Sequence, residues 1–540
     1  TGGAGNDTFD VGNNQLTYLD TIDGGAGTDL IELNMASAVS DVAFQNVTNV
    51  ENITLDGGTS TLTLGAYASA AGVVKVTGVA ASVNTINAAA MNTGVTIVAA
   101  TSTLSDILTG GTGADTFVFS GTAGLEVGDV LTGTAGADII QLDNSAAAVT
   151  AAVDFDNVAT LTNITVKDND GGTVGTSQNI TLTVAGLTET LAQTITIDGS
   201  AVTDSSDALL ITNSAGVTTT LFNITGGAGA DTLAGANGAD IISGGAGVDT
   251  ITGNTGADTL TGGAGADNFA FAATTIRSGI SGSSTAFTSA KTDTITDFVA
   301  GTDNINLIAG LTSNAQTVTF TDTGDAASVS AGLALLSGVA GEYFFNTGDS
   351  QLVVDLDGNG LIQATDLIVN MTDETGFAST DMDLIVAVAA ADHAQTITTG
   401  GGNDSIIAGN GVDVLTTGAG NDYLQGSAAT DSSDADVLTG GSGDDTYMFI
   451  TAPSTTSEVV EASGTDTLYV GASISMATLK NASSGADLFG ATAVTQFEQI
   501  VINAGDTATF SSVQLTGNAM ALNADAAGTS GLTVTVGADL

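Results

Sequence analysis

The 540-residue sequence predicts an all-β chain of stacked turns, in which solenoid repeats alternate with further β-rich solenoid or sandwich segments. Three observations carry this. A nonapeptide of the form G-G-x-G-x-D-x-U-x, with U a large apolar residue, recurs in tandem, as quasi-one-dimensional folds require. The stretches between the tandem copies alternate apolar residues with Thr, as in Ile180-Thr181-Leu182-Thr183-Val184 and Leu532-Thr533-Val534-Thr535-Val536, the period of half-buried strands. Finally, 42% of residues are apolar but only 4% aromatic, so the core has to be built from Val, Ile, Leu and Ala.

The repeats come first. Residues 226–270 read GGAGADTLA, GANGADIIS, GGAGVDTIT, GNTGADTLT and GGAGADNFA, which places Asp231, Asp240, Asp249, Asp258 and Asp267 nine residues apart. A second array, TGGGNDSII, AGNGVDVLT and TGAGNDYLQ, carries Asp404, Asp413 and Asp422, and a detached unit follows at Asp445. Single or paired copies occur at Asp7, Asp29, Asp115 and Asp138, and truncated D-x-U-x lead-ins at Asp20, Asp106, Asp129 and Asp436. The glycines tolerate tight turns and close backbone approach. The x-U-x triplet makes a short strand with U inward. Each turn then projects one carboxylate and several carbonyls, and stacking converges hard oxygen ligands of the kind that suits Ca²⁺. A flexible glycine linker has no reason to hold Asp and U in fixed phase.

A longer repeat organises the chain. Residues 2–55 (GGAGNDTFD…GGAGTDLIEL…FQNVTNVENITL) map onto 110–166 (GGTGADTFVF…GTAGADIIQL…FDNVATLTNITV), with Asp7 on Asp115, Asp29 on Asp138, Phe44 on Phe155 and Ile53 on Ile164. A diverged third copy begins at Gly440 and ends at Ile502. The expected segments are therefore 1–109 and 110–225 (each a repeat pair plus a β-rich part), 226–392 (long roll, closing segment and a calcium loop), 393–439 (second roll) and 440–540. Stacked coils and a sandwich both fit the β-rich parts; the preceding roll offers an edge to continue, which favours the solenoid.

Within 226–392, residues 325–336 read as a short helix, and Glu342–Phe345 with Gln351–Val354 as a hairpin around Asn346-Thr347-Gly348-Asp349. The following loop has Asp355, Asp357, Asn359 and Asp366 in a D-x-D-x-N-G-x₅-D pattern, calcium-loop spacing with Asp for the terminal Glu. Its flanks read as strands, which argues against an EF-hand. An ion-free Asp/Asn/Gly turn is the bland alternative.

The charge excludes whole classes of function. There are 59 Asp plus Glu against 5 Lys plus Arg, for a net charge of −54; nucleic-acid binding needs the opposite. No run of about 18 apolar residues is present, so no helix is expected to insert in a membrane. Cysteine is absent, which removes thiol chemistry and disulfides. The single histidine, His393, cannot supply a two-histidine zinc motif, and no G-x-S-x-G elbow occurs. The chain reads as a non-enzyme. A compact chain this acidic repels itself, and bound divalent cations are the expected remedy. It begins in mid-motif at Thr1-Gly2-Gly3, which reads as a fragment or a processed product.

The nonapeptides of 226–270 resemble those of the RTX (repeats-in-toxin) family. The resemblance implies a right-handed parallel β-roll or β-helix with several Ca²⁺ ions between turns, and export by a type I system. The scattered roll motifs, the Thr/Ala/Gly/Val strands and the F-x-x-V-x-x-[VL]-x-x-I segments at Phe44–Ile53 and Phe155–Ile164 resemble most the calcium-dependent RTX-type S-layer proteins. That resemblance implies a secreted, self-assembling protein of the bacterial cell surface, whose partner is itself. Surface polysaccharide would be bound through a region not in this chain. A calcium-stiffened adhesin or filament region is the alternative, and the RTX tail of a secreted enzyme is a third reading.

Overall fold

A computed structural model describes the strands and most of the turns between them. The longest stretches outside the description are 168–178, 186–193, 273–292, 356–366, 389–395, 427–435, 450–457, 482–498, 512–520 and 525–532, with shorter pieces between strands. The chain forms two compact units, Thr1–Asp267 and Asn268–Leu540.

The first unit is a parallel β-solenoid. One face runs without a break from Thr8–Val11 through Leu30–Asn34, Asn52–Asp56, Lys75–Thr77, Thr96–Val98 and Thr116–Ser120. It continues through Ile139–Asp143, Asn163–Lys167, Thr194–Asp198 and Leu221–Thr225 to Ile241–Ala246 and Thr259–Ala264. Every pairing is parallel. The opposite side is built from shorter parallel ladders, among them Asn84–Asn87, Ile107–Thr109 and Val130–Thr132. Farther on it is built from Ile180–Ala185, Leu209–Asn213, Thr232–Ala234 and Thr250–Thr252.

The x-U-x triplet explains the register. Its central residue points inward, and these residues stack on one another: Ile31 on Ile53, Phe117 on Ile140 and on through Ile224, Ile242 and Leu260, all fully buried. Each such side chain contributes roughly 1.5–3 kcal/mol by burial, so every coil adds a small increment that depends on its neighbours. The F-x-x-V-x-x-V-x-x-I segment rounds one coil by placing Phe44, Val47, Val50 and Ile53 inside. Both copies of the long repeat lay their three strand motifs on consecutive rungs. The described β-rich segments thus continue the roll as solenoid coils rather than forming a sandwich.

Among the described residues one α-helix interrupts the first unit, Ala66–Ala71, in a stretch not read as helical from sequence. Its Ala content favours a helix, Gly72 ends it at φ 101°, and Asp41 on the preceding coil accepts the N–H groups of Gly65, Tyr67 and Ala68 at its start.

In the second unit a parallel ladder runs from Asn268–Ala272 through Asn304–Leu311, Met382–Val388, Ser405–Ile407, Tyr423–Gln425, Thr446–Phe449 and Thr467–Val470 to Gln499–Ile502 and Ala521–Ala524. The expected hairpin is present: Glu342–Asn346 pairs antiparallel with Gln351–Asp355, and this strand with Leu367–Met371. Phe377 packs on Phe298, Phe345 and Tyr343 beside it. Most of 325–336, and Asp357, Asn359, Asp366 and His393, lie outside the described residues; Asp355 ends its strand. No helix among the described residues is long and apolar enough to cross a membrane.

Candidate metal centre

The coil length decides which aspartates meet. In the long array one coil is 18 residues, or two nonapeptides. Consecutive repeats therefore do not stack on each other. Asp231, Asp249 and Asp267 form a column on one flank, and Asp240 and Asp258 a column on the other. All five are buried.

Each carboxylate has two tasks. Oδ1 accepts the main-chain N–H of the equivalent residue one coil earlier: Asp231 donates to Asp249 at 2.8 Å, Asp249 to Asp267 at 2.9 Å and Asp240 to Asp258 at 2.8 Å. The same bond joins Asp7 to Asp29, Asp115 to Asp138, Asp404 to Asp422 and Asp422 to Asp445. It satisfies turn N–H groups that the strand ladders leave over. Oδ2 faces the turn itself. The Asp29, Asp249 and Asp445 Oδ2 atoms are buried without a hydrogen-bond partner. A Cβ added to Gly244 would run into the Asp249 Oδ2 and come within 2.6 Å of the Gly262 carbonyl oxygen, one coil on. Carboxylate and carbonyl oxygens thus converge on a space that holds no side chain. Among the described residues no three His, Cys, Asp or Glu side chains cluster as a metal site. The donor set is one carboxylate per turn plus main-chain carbonyls, all hard oxygen, which fits Ca²⁺ and not a soft or nitrogen-seeking metal.

Sequence reasoning missed several rungs of these ladders. Asp106 accepts from Asn84 N–H and donates its own to Asp129. Asp436 accepts from Asp413, Asp466 from Asp445, and Glu51 from Asp29 through Oε2. The signal for Asp106, Asp129 and Asp436 was present, an aspartate nine residues before a full motif on the opposite flank of the same coil. Asp466 keeps only the fourth-position glycine of the motif, Gly464 at φ 153°, ahead of its D-x-L triplet; Glu51 lacks the glycine turn and carries no such mark.

Burial pushes the carboxyls up. Asp240, Asp249, Asp404 and Asp445 are raised to about 7, and Asp129 to about 6, chiefly by desolvation. Asp231 and Asp267 raise Asp249 further by their charge. No basic residue lies within 226–270 to relieve this.

The columns predict unequal aspartates. Asp249 is fully buried between two rungs, whereas Asp7 is half-exposed, with Gly3 N–H on its Oδ2. Asp249→Ala is expected to raise the calcium midpoint of folding by about threefold or more, and Asp7→Ala to leave it within about twofold, because affinity follows the number of charged ligands. Asp249→Asn, which keeps the acceptor for Asp231 N–H, should still lose most of the effect. Equal midpoints for Asp249→Ala and Asp7→Ala in a titration followed by circular dichroism would count against stacked sites.

Comparison with known proteins agrees with the geometry. The family model described as the RTX calcium-binding nonapeptide repeat (4 copies) matches residues 17–34, 102–119, 124–145, 223–251, 243–272, 391–424 and 429–448. The matches include Asp106, Asp129 and Asp436. No curated protein matches the chain. The chain carries RTX calcium-binding nonapeptide repeats in several copies, and calcium is the ion those repeats bind.

Proposed function

We propose that this chain is a secreted, calcium-dependent structural protein that self-assembles into a bacterial surface layer. Proteins with these repeats are typically secreted. The observation that carries the reading is the extent of the carboxylate ladders. They recur from Asp7 to Asp445, so turns of the calcium-binding type are spread along the chain instead of closing one end of it. With 59 acidic and 5 basic residues, two such surfaces approach only if ions bridge them. Ca²⁺ can take carboxylates from both partners, whereas monovalent salt only screens, over about 8 Å at physiological strength.

Assembly should need more Ca²⁺ than folding does, because contacts between chains are less preorganised than glycine turns. One calcium titration followed by circular dichroism and light scattering tests this. The expected order is β signal first and large particles second, with ~0.5 M NaCl unable to replace Ca²⁺ in the second step. Sheets in negative-stain images would support the surface layer. A chain that folds with calcium but stays as isolated rods at high concentration points to the adhesin or filament; compact monomers point to the tail of a secreted enzyme.

A further inference from the structure

The first glycine of each repeat in the long array is not there for its backbone. Gly226, Gly244 and Gly262 do not have positive φ, whereas Gly245 and Gly247 have φ 113° and 122°. What the first glycine leaves open is space. A Cβ on Gly226 would collide with the Asp231 Oδ2 and with the Gly244 carbonyl oxygen one coil on, and Gly244 stands in the same relation to Asp249 and Gly262. The Asp231 Oδ2 takes the Gly227 N–H at 2.6 Å, but the Asp249 Oδ2 has no hydrogen-bond partner, and a cation is the group that can serve it and the Gly262 carbonyl together.

The second array departs from this pattern. Thr399 and Thr417 occupy the first-glycine position before Asp404 and Asp422, and both are buried. The Thr399 hydroxyl donates to the Asp404 Oδ2. The Asp422 Oδ2 is buried without a hydrogen-bond partner; the Thr417 hydroxyl donates instead to the Gly440 carbonyl oxygen, one coil on, at 2.5 Å. These are the two kinds of group, the turn's own carboxylate and the next coil's carbonyl, that face the open space in the glycine turns. Ala408, at the same position before Asp413, brings no donor.

We propose that Thr399 is a built-in substitute for calcium: the Asp404 turn closes on a hydroxyl proton, and ion binding is left to turns whose carboxylate Oδ2 no side-chain hydroxyl reaches. A hydroxyl fills the gap, supplies one hydrogen bond and carries no charge, so the rung forms without an ion and does not exchange one. The glycine turns of the long array then follow the calcium concentration, and the Asp404 turn does not.

The test is the number of calcium ions bound by the full chain, measured by equilibrium dialysis at saturating Ca²⁺. Thr399→Gly should raise the count by about one ion, and Thr399→Ser should leave it unchanged. In the opposite direction, Gly244→Thr should lower it by about one. An unchanged count in a folded Thr399→Gly variant overturns the proposal. Should that variant fail to fold, Gly244→Thr decides alone, and an undiminished count there overturns it equally. A parent chain that binds no calcium at all would instead remove the calcium reading of every turn, a separate failure.

Discussion

In EGTA the chain should lose most of its far-UV β signal and recover it when millimolar Ca²⁺ is returned. The five aspartates of the long array are buried with no basic residue in the array beside them. Holding an ionised carboxylate out of water costs several kcal/mol per ion unless a counter-charge is close. The opposing term is thin. Each coil contributes a few inward side chains such as Ile242 or Leu260, at roughly 1.5–3 kcal/mol each before backbone ordering is subtracted. Without ions the columns formed by Asp231, Asp249 and Asp267 and by Asp240 and Asp258 repel within themselves, and the whole chain at −54 favours expansion. Coils contact chiefly their neighbours, so loss of one column exposes the next. Extracellular calcium modules bind at roughly 10⁻⁴–10⁻³ M, so recovery belongs in that range. The radius of gyration in solution scattering should rise in EGTA together with the loss of ellipticity. A spectrum unchanged by EGTA would sink this reading.

The strands and the direction of the inward residues were legible because x-U-x repeats with fixed phase, and burial has one answer for Ile31, Ile53 or Leu260. The coil length was not. A nine-residue motif is equally compatible with stacking every repeat or every second one, and only the 18-residue bond from Asp231 to Asp249 shows which it is. The same ambiguity hid Asp106 and Asp129, since a lead-in aspartate looks incidental until its coil partners are known. The Ala66–Ala71 helix escaped for another reason. Its cap is Asp41, on the preceding coil, and a cap supplied from another coil leaves no local signature. The role of Thr399 was equally invisible, because a Thr in place of Gly reads as drift in a degenerate motif until its hydroxyl is seen to reach a carboxylate.

The second large effect expected is a reversal of the ordinary pH response. Asp240, Asp249, Asp404 and Asp445 sit at about 7 in the folded, calcium-free chain, against 3.8 for an unperturbed aspartate. The folded state therefore holds more protons than the unfolded state across that interval. Its stabilisation by protonation is complete below the unfolded value and is lost as pH rises through about 7. In calcium-stripped buffer, lowering the pH from about 8 to about 5 should thus restore β signal, where an ordinary acidic protein held by ionised carboxylates would lose stability. Relief of the overall negative charge also favours compaction, but exposed carboxylates titrate near about 4. The position of the midpoint separates the two causes: recovery centred between about pH 6 and 7 belongs to the buried columns, and recovery only near pH 4 would remove them as the cause. With calcium present the sign inverts, because protons and Ca²⁺ compete for the same oxygens. Calcium affinity should fall as pH drops through 7, and binding at about pH 6, where the calcium-free chain has regained its β signal, should release protons, detectable as a dependence of the calorimetric heat on the buffer's ionisation enthalpy. Proton release there reports on carboxyls such as Asp240, Asp249 and Asp445, which the fold keeps largely protonated until the ion arrives.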